Sequence, residues 1–302
     1  MAIDHSNMHL GKRPRRHDQR TLMMANYLTT ALPPAPASVD YTQGVEDWGM
    51  MRNDQLGCCT IAAVGHAVQA WTVNAGSRVN FADRTIDLYY EKWDAYNPAD
   101  PATDQGGVEL DVLNDWRQQG FAGHALDAYA AIDLGARDTG NGKRDANSRP
   151  LSPDPIAQAI WLFGGAYIGV ELPLTAQSQD VWDVADGPDA EPGSWGGHAV
   201  YLVGYDFPVS RVPNPVSRTL TCITWGQTKK MTWAWFEKYC SEAYALVSKD
   251  WLKASGVSPS GFDLATLEED LKAVSRQPSA LSLDNPSPGL RPPSPQGRGP
   301  GG

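Results

Sequence analysis

The sequence predicts an α+β fold, with helices in the first part of the folded region and strands in the second. Three observations carry this. Apolar residues recur at helical spacing between 59 and 163. From 166 to 248, short apolar runs alternate with Gly, Pro and Asn. The two textures follow one another, whereas an alternating parallel sheet would interleave them.

Residues 59–75 carry Ile61, Ala62, Ala63, Val64, Ala67, Val68, Ala70 and Trp71. A helix apolar on nearly every side belongs at the centre of a fold, and Gly76 stops it. A second helix is predicted over 83–95. A third is marked by Val108, Val112, Leu113 and Trp116 and ended by Gly120. Ser152-Pro153-Asp154-Pro155 opens a fourth, with Ile156, Ala159, Ile160 and Phe163 on one face. Strands are predicted at 166–172, 199–205, 219–225 and 243–248, with a short helix over 232–239 before the last of them. Leu264, Leu267, Leu271 and Val274 make a final amphipathic helix.

Three regions follow from composition: an arm over 1–38, a folded unit over 39–275 and a tail over 276–302. The arm holds Lys12, Arg13, Arg15, Arg16 and Arg20 close together, with Asp18 the single acid among them, and then the stiff run Pro33-Pro34-Ala35-Pro36. The tail is rich in proline and glycine and cannot bury enough apolar surface to offset its ordering entropy, so it is expected to be disordered. Net charge is −10 and the isoelectric point about 5.0, which argues against a general nucleic-acid binder. No apolar run approaches the ~18 residues of a membrane helix. The first residues lack the apolar stretch of a secretory signal. Four cysteines in 302 residues, two of them adjacent, do not make a disulfide scaffold. The expected compartment is a reducing, cytoplasmic one.

Three segments carry chemistry. Asn53-Asp54-Gln55-Leu56-Gly57-Cys58-Cys59-Thr60 places a thiol at the first turn of the buried helix. Unpaired N–H groups there favour a thiolate. Gly196-Gly197-His198-Ala199-Val200 puts a histidine at the start of an apolar strand that ends Gly204-Tyr205. Ile223-Thr224-Trp225-Gly226 closes the next strand. His66 follows Cys59 by two helical turns, about 10.5 Å of rise, too far for both to hold one ion. It reads as structural, and His124 as a turn residue.

These segments resemble the motifs of the papain-like cysteine peptidases. Gly57-Cys58-Cys59-Thr60 is similar to the family's nucleophile motif, with Cys59 in the nucleophile position. His198-Ala199-Val200 is similar to its histidine motif and lies 139 residues further on, inside the family interval of about 130–150. The resemblance covers about 39–250. It implies a two-lobed fold, a helical lobe around the central helix and an antiparallel strand-rich lobe, with Cys59 and His198 facing each other across the cleft. It also implies an oxyanion donor at Asn53, where the family has glutamine, and no metal or organic cofactor. Ile223 stands where the family has its asparagine, so the third catalytic member is missing by this alignment. Strand alternation then puts Ile223 and Trp225 beside His198.

The activity implied is that of a cysteine hydrolase, a peptidase or amidase acting on a peptide or amide substrate, with neither nucleic acid nor membrane as partner. It would be a bacterial or virus-encoded protein. Ile223 and Asn53 keep a second reading open, a weakened or inactive papain-like binding or structural protein of a phage or prophage. A third is a cysteine hydrolase of another amide, such as peptidoglycan or an isopeptide.

Overall fold

The computed structural model describes residues 5–16, 18, 21, 35–132, 134, 154–207 and 218–262. The helix expected over 264–274 and the tail over 276–302 lie outside them.

α1 (Cys59–Ala75) is buried from Cys59 through Thr72 and ends at Gly76, whose left-handed backbone (φ 94) lets its N–H return to the last carbonyls. α2 (Asp83–Trp93) and α3 (Glu109–Gln119) pack against it. Trp71 stacks on Trp116 at 5.6 Å between ring centres, which ties α1 to α3. α4 (Asp154–Phe163) and α5 (Trp233–Tyr239) belong to the other half.

Among the described residues, eight strands form one sheet: β1 (Ser38–Asp40), β2 (Ala128–Ala131), β3 (Ala166–Leu172), β4 (Val181–Trp182), β5 (Gly196–Asp206), β6 (Thr219–Thr224), β7 (Gln227–Thr232) and β8 (Cys240–Val247). Their order is β2-β8-β3-β5-β6-β7-β4, with β1 on β5. Every pairing is antiparallel except β4 with β7.

Alternation along the strands divides the core between the two faces of this sheet. Tyr167, Tyr201, Val203 and Ile223 join α1. Ile168, Val170, Val200, Leu202 and Cys222 join α4 and α5. The result is the two-lobed α+β arrangement expected from the sequence, with the central helix against the sheet. Four strands were not predicted: the short β1 and β4, and β2 and β7. β2 is an alanine-tyrosine run without the β-branched residues that mark a strand. β7 begins Gln-Thr-Lys-Lys and is held by its ladder to β6 rather than by an apolar pattern. No helix among the described residues is long and apolar enough to cross a membrane.

Candidate active site

α1 begins at Cys59, with Cys58 as its cap residue. No side chain caps this end, so the first-turn N–H groups keep their partial positive charge beside the sulfur. Cys59 Sγ accepts a hydrogen bond from the Ala199 N–H at 3.4 Å, which brings it to the residue next to His198 on β5. His198 is fully buried. Its Nε2 shares a 2.7 Å hydrogen bond with Thr224 Oγ1. Its Nδ1 is buried without a hydrogen-bond partner among the described residues. With Nε2 committed, Nδ1 is the nitrogen left for proton exchange with a thiol. The ring stacks on Trp225 at 4.6 Å and 19°.

Ile223 does not border the imidazole. Its side chain lies in the core under α1, beside Tyr201, and the hydroxyl of Thr224 takes the ring. The expected alternation fails because Trp225 sits at φ 47, where β geometry has ended. Trp225 therefore leaves the Ile223 face and turns over the histidine. The residue bonded to the ring thus stands one position later than the motif alignment puts the third member. The signal in the sequence was a hydroxyl directly before Trp-Gly.

Asn53 is buried, and its amide donates to Leu56 O at 3.2 Å and His9 O at 3.1 Å. The first bond fixes the side chain within its own loop; the second reaches residues of the arm. Cys58 donates to Met51 O. All four cysteines are buried, and none is in a disulfide. His124 pairs with Asp250 at 2.9 Å. No group of three or more His, Cys, Asp or Glu side chains among the described residues is arranged to hold a metal ion.

His66 bonds Gly49 O at 3.1 Å through Nε2, and burial lowers its pKa to about 4. A histidine neutral in the fold but charged when unfolded contributes stability that is full above the unfolded pKa of about 6.5 and is lost as pH falls toward 4. Melting temperature should therefore fall between pH 7 and pH 4. Replacing His66 with Gln should make that fall smaller in thermal melts at the two pH values.

Residues 5–16 fill the groove between the lobes. Lys12 N–H donates to Gly197 O at 3.0 Å, Arg13 N–H to Gly107 O at 2.8 Å, and Gly107 N–H to Gly11 O at 2.8 Å. The Gly11 backbone N–H lies near enough to the Cys59 sulfur to favour its thiolate. His5 stacks on Trp225, and Arg16 pairs with Asp111. Backbones approach so closely that a Cβ on Gly11 would overlap the Gly57 carbonyl. Lys12 and Arg16 of the basic run thus answer carboxylates of the body.

Burial pushes the Cys59 thiol up to about 12 and pulls His198 down to about 3. The pair described is a neutral thiol and a neutral imidazole, not the thiolate expected from the helix terminus. Desolvation of the site beneath residues 5–16, the strap, outweighs the helix dipole.

Solved structures share this architecture. The chain is similar to xylellain, a cysteine protease from Xylella fastidiosa, at TM-score 0.55 and 11% identity, over 82% of this chain and 98% of that one. It is also similar to the cysteine protease and lectin-like domains of Cwp84, a surface layer associated protein of Clostridium difficile, at TM-score 0.50 and 11% identity, over 81% of this chain and 57% of that one. No protein-family model and no curated protein matches the sequence. The chain has the papain-like cysteine-protease fold, in a divergent sequence.

Proposed function

We propose that the chain is a papain-like cysteine hydrolase of peptides whose cleft is closed by residues 5–16. The observation that carries this reading is the placement of Cys59 at an uncapped helix start, bonded to the amide beside His198, whose far nitrogen Thr224 holds. Once the strap leaves, His198 Nδ1 takes the Cys59 proton, and the thiolate attacks the substrate carbonyl carbon. The carbonyl oxygen gains the charge. The Asn53 N–H now on His9 O becomes free to donate to it, together with the Cys59 backbone N–H. The imidazolium then gives its proton to the leaving amine, and water, deprotonated by His198, cleaves the thioester.

Incubation of the Gly11→Val full chain, in which residues 5–16 cannot seat against Gly57, with a thiol-directed peptidyl electrophile, followed by mass-spectrometric site assignment, tests this. The expected adduct is on Cys59, with Cys58, Cys222 and Cys240 unmodified. An adduct confined to another cysteine contradicts the assignment.

One observation favours the second reading, an inactive binding or structural protein: the cleft is filled by the chain itself and the thiol is raised to about 12. A chain that stays unlabelled after the strap is displaced would be that protein.

A further inference from the structure

Glu109 at the start of α3, Glu171 on β3 and Glu242 on β8 converge on one side chain of the strap. Lys12 Nζ pairs with Glu171 Oε1 at 3.0 Å and Glu242 Oε1 at 3.2 Å, with no exposure of the lysine side chain. It also donates to Arg13 O at 3.2 Å. Tyr244 OH donates to Glu242 Oε2 at 2.8 Å and fixes that carboxylate. Gly169 leaves the room: a Cβ there would overlap Lys12 Cε and lie 2.9 Å from Glu109 Oε1.

The pocket holds more acceptors than Lys12 uses. Glu109 is fully buried, and neither of its oxygens has a hydrogen-bond partner among the described residues; Glu242 Oε1 has an ion pair but no hydrogen bond. Burying carboxylates costs a great deal unless a cation and hydrogen bonds answer them. One carboxylate would have sufficed to anchor one ammonium. Three around a single lysine leave an excess of negative charge, and burial with the charge of Glu242 pushes the Glu109 carboxyl well up. A guanidinium carries five N–H donors in a fork that matches carboxylates, against three on an ammonium.

The position is next to the reacting sulfur. Gly11 lies against Gly57, two residues before Cys59, and its neighbour Lys12 enters the pocket. A peptide lying in the same groove would put there a side chain within one or two residues of the carbonyl under attack.

We propose that Glu109, Glu171 and Glu242 form a specificity pocket for the Lys or Arg side chain of an extended peptide, and that Lys12 is its intramolecular stand-in. The proposal rests on the hydrolase reading for the word substrate, but its test does not require turnover.

Lys12→Ala is made in a Cys59→Ala full chain, and calorimetry measures binding of two unreactive peptide amides that differ only in arginine against norleucine. Charge-assisted hydrogen bonds in a buried site predict roughly ten- to a hundred-fold tighter binding of the arginine peptide. Adding Glu242→Gln should shrink that preference to about two-fold, since the pocket loses a charge. Equal binding of the two peptides, or binding of neither, would overturn the proposal and leave the carboxylates as a structural anchor for the strap. If Lys12→Ala does not fold, Gly11→Val with Cys59→Ala vacates the pocket without altering a charge and carries the same comparison. Absence of peptide cleavage by a chain with Cys59 intact, alongside selective binding of the arginine peptide, would sink the hydrolase reading and keep the pocket.

Discussion

Gly11→Val should raise the rate at which iodoacetamide alkylates Cys59 at pH 7 by about a thousand-fold. A side chain at residue 11 cannot coexist with the Gly57 carbonyl, so the strap must leave the groove while the body keeps its sequence. Cys59 has no exposure and a thiol raised to about 12 in the closed form. At pH 7 a thiol of that pKa is ionised in about one molecule in 10⁵, against a few per cent at the ordinary value near 8.5. The freed helix start favours the thiolate further. The rate is read by mass spectrometry, with circular dichroism as the control for folding. A folded Gly11→Val protein alkylated at the wild-type rate would mean that the body, not the strap, buries the sulfur.

In the Gly11→Val background, Thr224→Val should lower kcat for peptide hydrolysis by about a hundred-fold and leave KM nearly unchanged. Valine keeps the shape and removes the hydroxyl. His198 Nε2, now bonded at 2.7 Å, would be left buried and unpaired, at a cost of about 1–3 kcal/mol, and the ring would lose the group that fixes its orientation. Thr224 bonds the ring and not the peptide, which is why KM should hold. Thr224→Ser keeps the hydroxyl and should restore most of the rate. If Thr224→Val and Thr224→Ser behave alike, the contact is packing only, and Thr224 has no positioning role.

Much of this architecture is legible in the sequence because it depends on local pattern. α1 is apolar all round and bounded by glycines, so its position and burial follow from sequence alone. The cysteine and histidine segments are short, each with its glycines beside it, and α1 and β5 bring them together. Thr224 was hidden because strand alternation predicts the wrong face when the chain enters the left-handed region at Trp225. The strap was hidden for another reason. Its basic residues are visible, but their partners are remote: Glu171 lies 159 positions beyond Lys12, and no local pattern links the two. The same remoteness kept the acidic pocket from view, since Glu109, Glu171 and Glu242 share nothing in sequence and meet only across α3, β3 and β8. The depressed thiol pKa inferred from the helix start was sound as local physics. Its inversion comes from burial, which depends on packing that no local pattern reveals.

The claim that Cys59 and His198 form a hydrolytic pair closed by residues 5–16 is tested most directly by cleavage of an internally quenched peptide mixture. The Gly11→Val chain is compared with the same chain carrying Cys59→Ala or His198→Ala. The account predicts cleavage by Gly11→Val and its loss in both double variants. Cleavage that survives Cys59→Ala, or a folded and open Gly11→Val chain that cleaves nothing, would contradict it.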